Sequence, residues 1–600
     1  MLLLKKITEV QSHPDHRMAS LNLRWYQNME LTVTRVTPKA SSSAEKPENG
    51  VNGLKHWRHD IVSGLIVSLV SVPLSLGIAI ASGAPPVCGL ISSIIAGLIF
   101  PFLGGAYCTI SGPAAGLAPA VMACIMALGK GNMEVGYTLV LGVITMAGCV
   151  QLILSHLKAA RFSAMFPVIA VEAMLASIGL MIIAKQIPAL VGHKGHAHEF
   201  FGLLAETPSN LMQSNAQVLF IGIVCLLILF TFGKLLNKTK LRMLPPQLVA
   251  VTVGAILSQA LHLDAKYLIN IPADPLKHGI VMPNFVGLFS DPSMWWTIVG
   301  CVLTLTLIDG FESLATIMAV DRIDPFHRKS NPDRTLFAMG MSNICSSLAG
   351  GLTIIPGGIK STTNILSGGR TLWANFYNAC FLICYLLVAR ELINMIPLAA
   401  LAAVLIHIGY KLCEPKKWFY AAAVGKEQLF LFASTIAITL YTDLLWGLLY
   451  GMAAKLVLVW FYSLQSTLER HHGHGPVTAK LLGLEFVKLF RNPVTMHDTQ
   501  DGVHKIRFNG PVVCFNALHV QKELDKIPAN CKQVKLCFAP SVGLVDHTSA
   551  SNILAFQSEC ARLGRYDVEI IGLDLLRMHS KDESCMRHAR AASWQQRSHA

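Results

Sequence analysis

The chain has 600 residues, of which 53% are hydrophobic and 14% are charged, with a formal net charge of +14. This composition excludes a soluble multidomain enzyme and is typical of a polytopic α-helical membrane protein. Because the apolar residues form long continuous runs, helices are predicted rather than the alternating strands of a barrel. The basic residues flank these runs, which argues against nucleic acid as a partner. We find no nucleotide loop, zinc motif or nucleophile constellation, and we expect neither an enzyme nor a cofactor.

The first segment, residues 1–55, is polar and rich in Ser, Pro, Glu and Asn. Such a composition cannot bury enough apolar surface to fold, so the segment is predicted to be a disordered cytosolic leader.

Apolar runs in residues 56–465 predict fourteen spans. The first set lies near 60–82, 87–104, 111–129, 134–156, 166–190, 216–236 and 245–262. The second set lies near 294–319, 335–350, 353–368, 371–390, 394–410, 427–442 and 443–463. Several runs are shorter than the roughly 20 residues that a helix needs to cross alone, so half-helices and re-entrant pieces are expected.

The loops predict the orientation. Lys and Arg are concentrated in alternate loops, such as 234–242, 322–334 and 411–426, and the intervening loops are poorer in them. The positive-inside rule then places both termini in the cytosol of a multi-pass protein of the plasma (inner) membrane.

The pattern changes after about residue 465. Residues 466–500 are predicted to be a linker, 501–582 a small α/β module and 583–600 a basic tail. Within the module, Val503–Phe508, Pro511–Phe515 and Gln533–Phe538 are predicted strands, and helical segments alternate with them.

Two apolar segments are interrupted by Gly and Pro at matching places in the two halves, at 109–116 and 355–364. Such short broken segments are the best sequence indication of a transporter's substrate site. A helix that begins inside the membrane directs its free N–H groups and positive dipole end at the solute. The predicted contacts are Ser111, Gly112, Pro113, Ala114, Gly357, Gly358, Lys360 and Ser361. The charge of Lys360 favours an anion, although a lysine at this place could also extend its amino group to the cytosol.

The segment 307–316 carries two acids inside a predicted span, and intramembrane acids mark functional sites by default. Glu312 and Thr316 are four residues apart and project from one face, where a carboxylate can titrate or coordinate a cation. Asp309 lies about one turn away and could share this role. The alternative for each acid is a structural bond to a neighbouring helix.

Two other sets of residues receive structural interpretations. Lys455, near the end of the last span, is interpreted as a lysine that extends its amino group to the membrane surface. The histidines of 193–198 and 471–474 lie in loops without acidic or cysteine partners, so surface histidines are favoured over a metal site.

At these residues the chain resembles the sulfate permease (SulP) family of anion transporters over roughly residues 55–580. The matching stretches are 81–90, Ser111-Gly112-Pro113, Glu312-Ser313-Leu314, 343–351 and 367–371.

The resemblance implies seven plus seven spans in inverted repeats, 56–262 and 290–465. The third and tenth helices would be half-helices that meet at the anion site, in a core domain that moves against a gate domain. Family members often carry Gln after the proline of the first span; here Leu74 follows Pro73, and the next residue, Ser75, is a candidate substrate contact. The resemblance also implies a homodimer and identifies the module as a cytosolic, regulatory STAS domain, in which Thr548 could replace the usual phosphorylatable Ser.

The sequence therefore predicts a secondary active transporter of small anions, of the sulfate, bicarbonate or dicarboxylate class. It would work by alternating access, coupled to H⁺ or Na⁺ or as an anion exchanger. An anion channel and a nucleobase permease on the same fold remain alternatives.

Overall fold

A computed structural model describes residues 46–160, 165–193, 197, 199–235, 245–271, 281–442, 444–470, 479–500, 502–528, 531–539 and 541–589. Most of the predicted leader, most of the two histidine-rich stretches and the end of the basic tail lie outside the described residues.

The first half contains eight helices and one short strand among the described residues. These are α1 Trp57–Ala81, α2 Pro86–Leu103, β1 Ile110–Pro113, α3 Ala118–Leu128, α4 Met133–His156, α5 Val168–Val191, α6 Phe200–Met212, α7 Ala216–Leu235 and α8 Pro246–Ala260. The amphipathic helix α6 was not predicted, and its chain direction changes by 117° at the junction with α7.

The second half has more helices, and it too contains a strand followed by a short helix. Its elements are α9 Phe285–Phe289, α10 Trp295–Ile323, α11 Pro332–Leu348, β2 Ile354–Gly357, α12 Gly358–Leu366, α13 Trp373–Val388, α14 Arg390–Asn394, α15 Leu398–Leu412, α16 Pro415–Val424, α17 Lys426–Tyr441 and α18 Leu444–Arg470.

Each of the fourteen predicted spans overlaps a helix of the structure. Among the described residues, seven helices are long and apolar enough to cross a membrane, or eight if the bent pair α6–α7 forms one span. The remaining apolar helices are too short to cross alone, as the half-helix expectation requires. The chain is thus a polytopic helical membrane protein, and the number of fourteen crossings stays a prediction.

The two broken segments differ from the prediction at their starts. Instead of beginning a helix at residue 111, the first segment forms strand β1, and α3 begins only at Ala118. Strand β2 precedes α12 in the same way. The two strands pair antiparallel, with Ser111 opposite Pro356 and Gly112 opposite Ile355. The halves of the chain therefore meet through a two-stranded sheet at their broken segments.

Helices α4 and α11 cross at a pair of glycines. A Cβ atom on Gly148 would lie 2.8 Å from the carbonyl oxygen of Gly340, and a Cβ on Gly340 would lie 2.8 Å from that of Gly148. Since any side chain would separate the two backbones, this crossing brings α4 and α11 closer than other residues allow.

The end of the predicted leader is ordered. Residues Gly50–His56 form a 3-10 helix, and the indole N–H of Trp373 donates to the Gly50 carbonyl oxygen at 2.7 Å. The amide of Asn49 donates to the carbonyl oxygen of Ala106 at 2.6 Å. The folded membrane region therefore begins several residues before the predicted boundary at 56.

The C-terminal module is a small α/β unit, as predicted, but its extent and one strand differ. Its elements are α19 Ala479–Lys488, β3 Val494–Gln500, β4 Val503–Phe508, α20 Ala517–Leu524, β5 Gln533–Phe538, β6 Leu544–Val545, α21 His547–Leu563, β7 Asp567–Ile571, β8 Arg577–Met578 and β9 Arg587–His588. One sheet has the order β3-β4-β5-β7 and the other β6-β9-β8. Strand β3 lies inside the predicted linker and β9 beyond the predicted end at 582. The predicted strand Pro511–Phe515 is instead an isolated bridge at Val512 followed by a 3-10 helix.

The glycine crossing gives a stability prediction. Gly148→Ala should destabilise the protein by about 1–3 kcal/mol, because the added methyl group separates α4 from α11. Gly300→Ala is the matched control, since a Cβ at Gly300 meets no atom within 4 Å, and it should be neutral or stabilise by up to about 1 kcal/mol. Thermal unfolding of the purified protein in detergent measures both, and equal melting temperatures would contradict the close crossing.

Candidate functional site

The sheet formed by β1 and β2 lies inside the membrane region, where its backbone groups must find partners in the protein. Polar side chains from other helices supply them. The N–H of Ser111 donates to the side-chain oxygen of Asn375 at 2.8 Å, and the N–H of Ile354 donates to that of Asn343 at 2.6 Å. The N–H of Ile110 donates to the hydroxyl of Ser361 at 3.0 Å. These buried bonds fix both strands to the surrounding helices.

Lys360 lies in the first turn of α12 and is only 2% exposed. Its amino group donates to the hydroxyls of Ser75 on α1 and Ser93 on α2, at 3.1 Å each. A Cβ on Gly112 would lie 2.5 Å from the Lys360 nitrogen, so strand β1 passes directly beside the charge. The amino group therefore points into the protein between α1, α2 and β1, and not towards the cytosol.

The charge of Lys360 is not neutralised by a neighbouring acid. Within the described part of the chain, no carboxylate lies within 4.0 Å of its amino group. The hydroxyl of Ser111 is buried and has no hydrogen-bond partner among the same residues. At the start of α12, Gly358 is exposed, and a Cβ there would meet no atom within 4 Å. An unpaired buried cation, a free hydroxyl and an open helix N-terminus together favour an anion.

The other residues of the broken segments that were predicted to contact the substrate are bonded to or packed against the rest of the protein. The hydroxyl of Ser361 donates to the Gly357 carbonyl oxygen at 2.6 Å and accepts from strand β1, so it already holds α12 against the sheet. Pro113 and Ala114 are buried beside that pairing. Gly357 is the N-cap residue of α12, and its backbone can approach a ligand closely.

Asp309 is fully buried on α10 and belongs to a network of side-chain amides. One of its oxygens accepts from Gln151 on α4 at 2.8 Å and from Asn343 on α11 at 2.9 Å. Because the oxygen of Asn343 accepts from the backbone N–H of Ile354, its nitrogen must face Asp309. The same Asn343 thus connects Asp309 to strand β2. Sequence reasoning did not find the role of Gln151, although an amide inside an apolar helix is a signal for such a network.

Glu312 has different neighbours from Asp309. Its carboxylate accepts from the backbone N–H of Gly116, just after strand β1, and a Cβ on Gly116 would collide with it. The Oε2 atom of Glu312 is buried and meets no hydrogen-bond criterion with any described residue. Thr316 is half-buried one turn further along α10. Glu312 therefore lies beside the first broken segment, with one oxygen available to a cation or proton.

The profile of the sulfate permease family matches residues 57–435, which is more than half of the chain. The chain belongs to the sulfate permease family. In this transporter each half of the chain contributes one of the two paired broken segments. The family and the relatives of this chain are transporters and not enzymes.

Among curated proteins, this family member is similar to the bicarbonate transporter BicA of Picosynechococcus, with 25% identity over 401 residues that cover 65% of this chain and 68% of BicA. Among solved structures, it is similar to the transmembrane domain of a cyanobacterial BicA, with a TM-score of 0.58, 22% identity and coverage of 65% of this chain and 97% of that one. It is also similar to murine Solute Carrier 26 family member A9 in the inward-facing state, with a TM-score of 0.59, 16% identity and coverage of 89% and 90%. These structural similarities establish the fold.

The amide network predicts a stability difference between two buried asparagines. Asn343→Leu should destabilise the protein by about 2–4 kcal/mol, because it leaves the buried Ile354 N–H without a partner and removes one of the two amide donors to Asp309. Asn378→Leu is the control: both amide atoms of Asn378 are buried and have no partner in the part of the chain that the structure describes. Its replacement should be neutral or stabilising. Thermal unfolding in detergent measures both, and an equal cost would contradict the network.

Proposed function

We propose that the protein is a secondary active transporter of small anions that works by alternating access. The single observation that carries this proposal is the buried amino group of Lys360, which lies beside strand β1 with no acid among the described residues to neutralise it. An unpaired buried charge is costly, and an anion that binds at the start of α12 would offset this cost. Membership of the sulfate permease family and the similarity to a bicarbonate transporter support the same conclusion.

The chemistry of the site favours a small oxyanion or carboxylate. The Lys360 ammonium supplies the charge, the hydroxyls of Ser75 and Ser111 can donate to oxygen atoms, and the N–H groups of Gly358 and its neighbours lie at an open helix end. Lysine offers a point charge rather than the planar fork of arginine, so it does not select one oxyanion geometry. We propose sulfate, bicarbonate or a dicarboxylate as the substrate class.

We propose Glu312 as the residue that couples transport to a proton or sodium gradient, with Thr316 beside it and Asp309 as the alternative. The available oxygen of Glu312 and its bond to Gly116, next to β1, support this choice. A cation bound there would lie close to the strand that carries Ser111, so anion and cation could favour each other electrostatically. Without a coupling ion the same site would serve an anion exchanger.

The larger assembly is proposed from the family resemblance. We propose a homodimer in the plasma (inner) membrane with cytosolic termini and a regulatory STAS domain formed by the α/β module. The core domain with the broken segments would move against a gate domain made of the remaining spans.

The proposal for Lys360 is tested with proteoliposomes and labelled sulfate, bicarbonate and dicarboxylates. Lys360→Ala should reduce uptake of the transported anion about ten- to a hundredfold at subsaturating concentration, because a charged donor is lost. Lys360→Arg should keep part of the uptake. The control Lys266→Ala changes an exposed lysine paired with Asp264 and should leave uptake unchanged. A folded Lys360→Ala protein with normal uptake would contradict the proposed site.

The coupling role of Glu312 is tested with proton and sodium gradients imposed separately. Glu312→Gln should abolish the dependence of uptake on the gradient that drives the wild type, because the amide can neither titrate nor offer a charge. Asp309→Asn is the comparison. Retained gradient dependence in Glu312→Gln, together with its loss in Asp309→Asn, would transfer the coupling role to Asp309.

A further inference from the structure

The α/β module contacts the membrane region at the start of helix α21. The amino group of Lys455 on α18 lies 3.4 Å from a carboxylate oxygen of Asp546, and these side chains are 1% and 0% exposed. The interpretation of Lys455 as a lysine directed to the membrane surface was therefore wrong. Its partner lies in a different domain, which the sequence does not indicate. In a pair removed from water this completely, each charge depends on the other for compensation.

The two residues after Asp546 extend the contact to other helices. The hydroxyl of Thr548 accepts from the backbone N–H of Val168, the first residue of α5, at 3.3 Å. The ring of His547 packs edge-on against Tyr420 of α16, with 6.2 Å between ring centroids. Three consecutive residues of the module thus contact α18, α16 and α5.

Further contacts attach the module to α18. The hydroxyl of Ser466 donates to the Gly543 carbonyl oxygen at 2.8 Å, and Val459 packs in one apolar cluster with Val513 and Leu544 of the module. These groups are buried, so they add apolar and hydrogen-bond stabilisation to the ion pair.

The contact with the loop between α10 and α11 is much weaker. Among the described residues, the ion pair between them joins Lys329 and Glu559, which are 4.0 Å apart with side chains 75% and 38% exposed. Such an exposed pair contributes little free energy. The module is therefore held firmly by α5, α16 and α18, and only loosely by the helices that carry Glu312 and the broken segments.

Asp546 is also the N-cap residue of α21, because its second oxygen accepts from the Ser549 N–H at 2.8 Å. Burial alone raises the pKa of Asp546, but the Lys455 ammonium and the Ser549 N–H outweigh it and hold this pKa below its ordinary value. The carboxylate is thus charged at neutral pH, as an ion pair requires.

We propose that Lys455 and Asp546 form an interdomain latch that fixes the module to α5, α16 and α18, so that the module moves with these helices during transport. As far as transport is concerned, this inference rests on the proposed function. While the latch is closed, Thr548 is 2% exposed, so modification of its hydroxyl requires the latch to open.

The docking is tested by hydrogen–deuterium exchange of the full chain in lipid nanodiscs, with Lys455→Met, Asp546→Asn and the double variant. Asparagine is also a good N-cap residue, so Asp546→Asn removes the charge without removing the cap. Each single variant should accelerate amide exchange in residues 543–549 about tenfold or more, because one buried charge loses its partner. The double variant should return close to wild-type protection, since no unpaired charge remains.

Lys535→Met is the matched control. Lys535 pairs with Glu569 at 2.9 Å on the module's sheet, with side chains 28% and 46% exposed. Its replacement should leave exchange in 543–549 unchanged. Wild-type exchange in Lys455→Met, or a double variant as unprotected as the single variants, would overturn the latch.

The effect on transport is measured separately, in proteoliposomes. Both single variants should change the maximal uptake rate without changing the apparent KM for the anion, and the double variant should restore the rate. An altered KM with an unaltered maximal rate would overturn the proposed movement of the module with these helices. Absence of uptake in the wild type would contradict the proposed function instead, and the exchange experiment would still decide the docking.

Discussion

The structure depends on one constraint: the backbone of two four-residue strands is buried where water cannot bind it. Strands β1 and β2 form some of their backbone hydrogen bonds with each other. The N–H groups on their outer edges need acceptors from side chains elsewhere in the chain. Asn343, Asn375 and Ser361 provide them from α11, α13 and α12. Because each side chain belongs to a different helix, the hydrogen-bonding requirement of the sheet also determines how these helices are arranged around it.

This arrangement gives different surroundings to two acids that lie within one turn of each other in the sequence. Asp309 and Glu312 are three residues apart on α10, yet Asp309 is bound by two side-chain amides and Glu312 by one backbone N–H. The first acid is part of the support for strand β2, and the second faces the segment after β1. The spacing of residues along a helix predicts which side chains share a face of that helix. It does not predict what packs against the face, because those neighbours come from distant parts of the chain.

The helices could be predicted from the sequence because a membrane requires long apolar runs, and each run is visible locally. The pairing of β1 with β2 could not, since four residues with Gly and Pro carry no strand periodicity and their partner lies in the other half. The direction of Lys360 was uncertain for a related reason: its hydroxyl partners, Ser75 and Ser93, are on α1 and α2. The burial of Lys455 was missed because Asp546 belongs to a separate domain.

The pairing of β1 with β2 also has a consequence for biosynthesis. A ribosome completes the first half, including β1 with its polar backbone, well before it makes β2 and the asparagines of α11 and α13. During that interval the first half of the chain contains unsatisfied backbone groups at membrane depth, so it cannot reach its final fold alone. The hydrogen bonding of β1 is therefore completed only when the second half of the chain is in place.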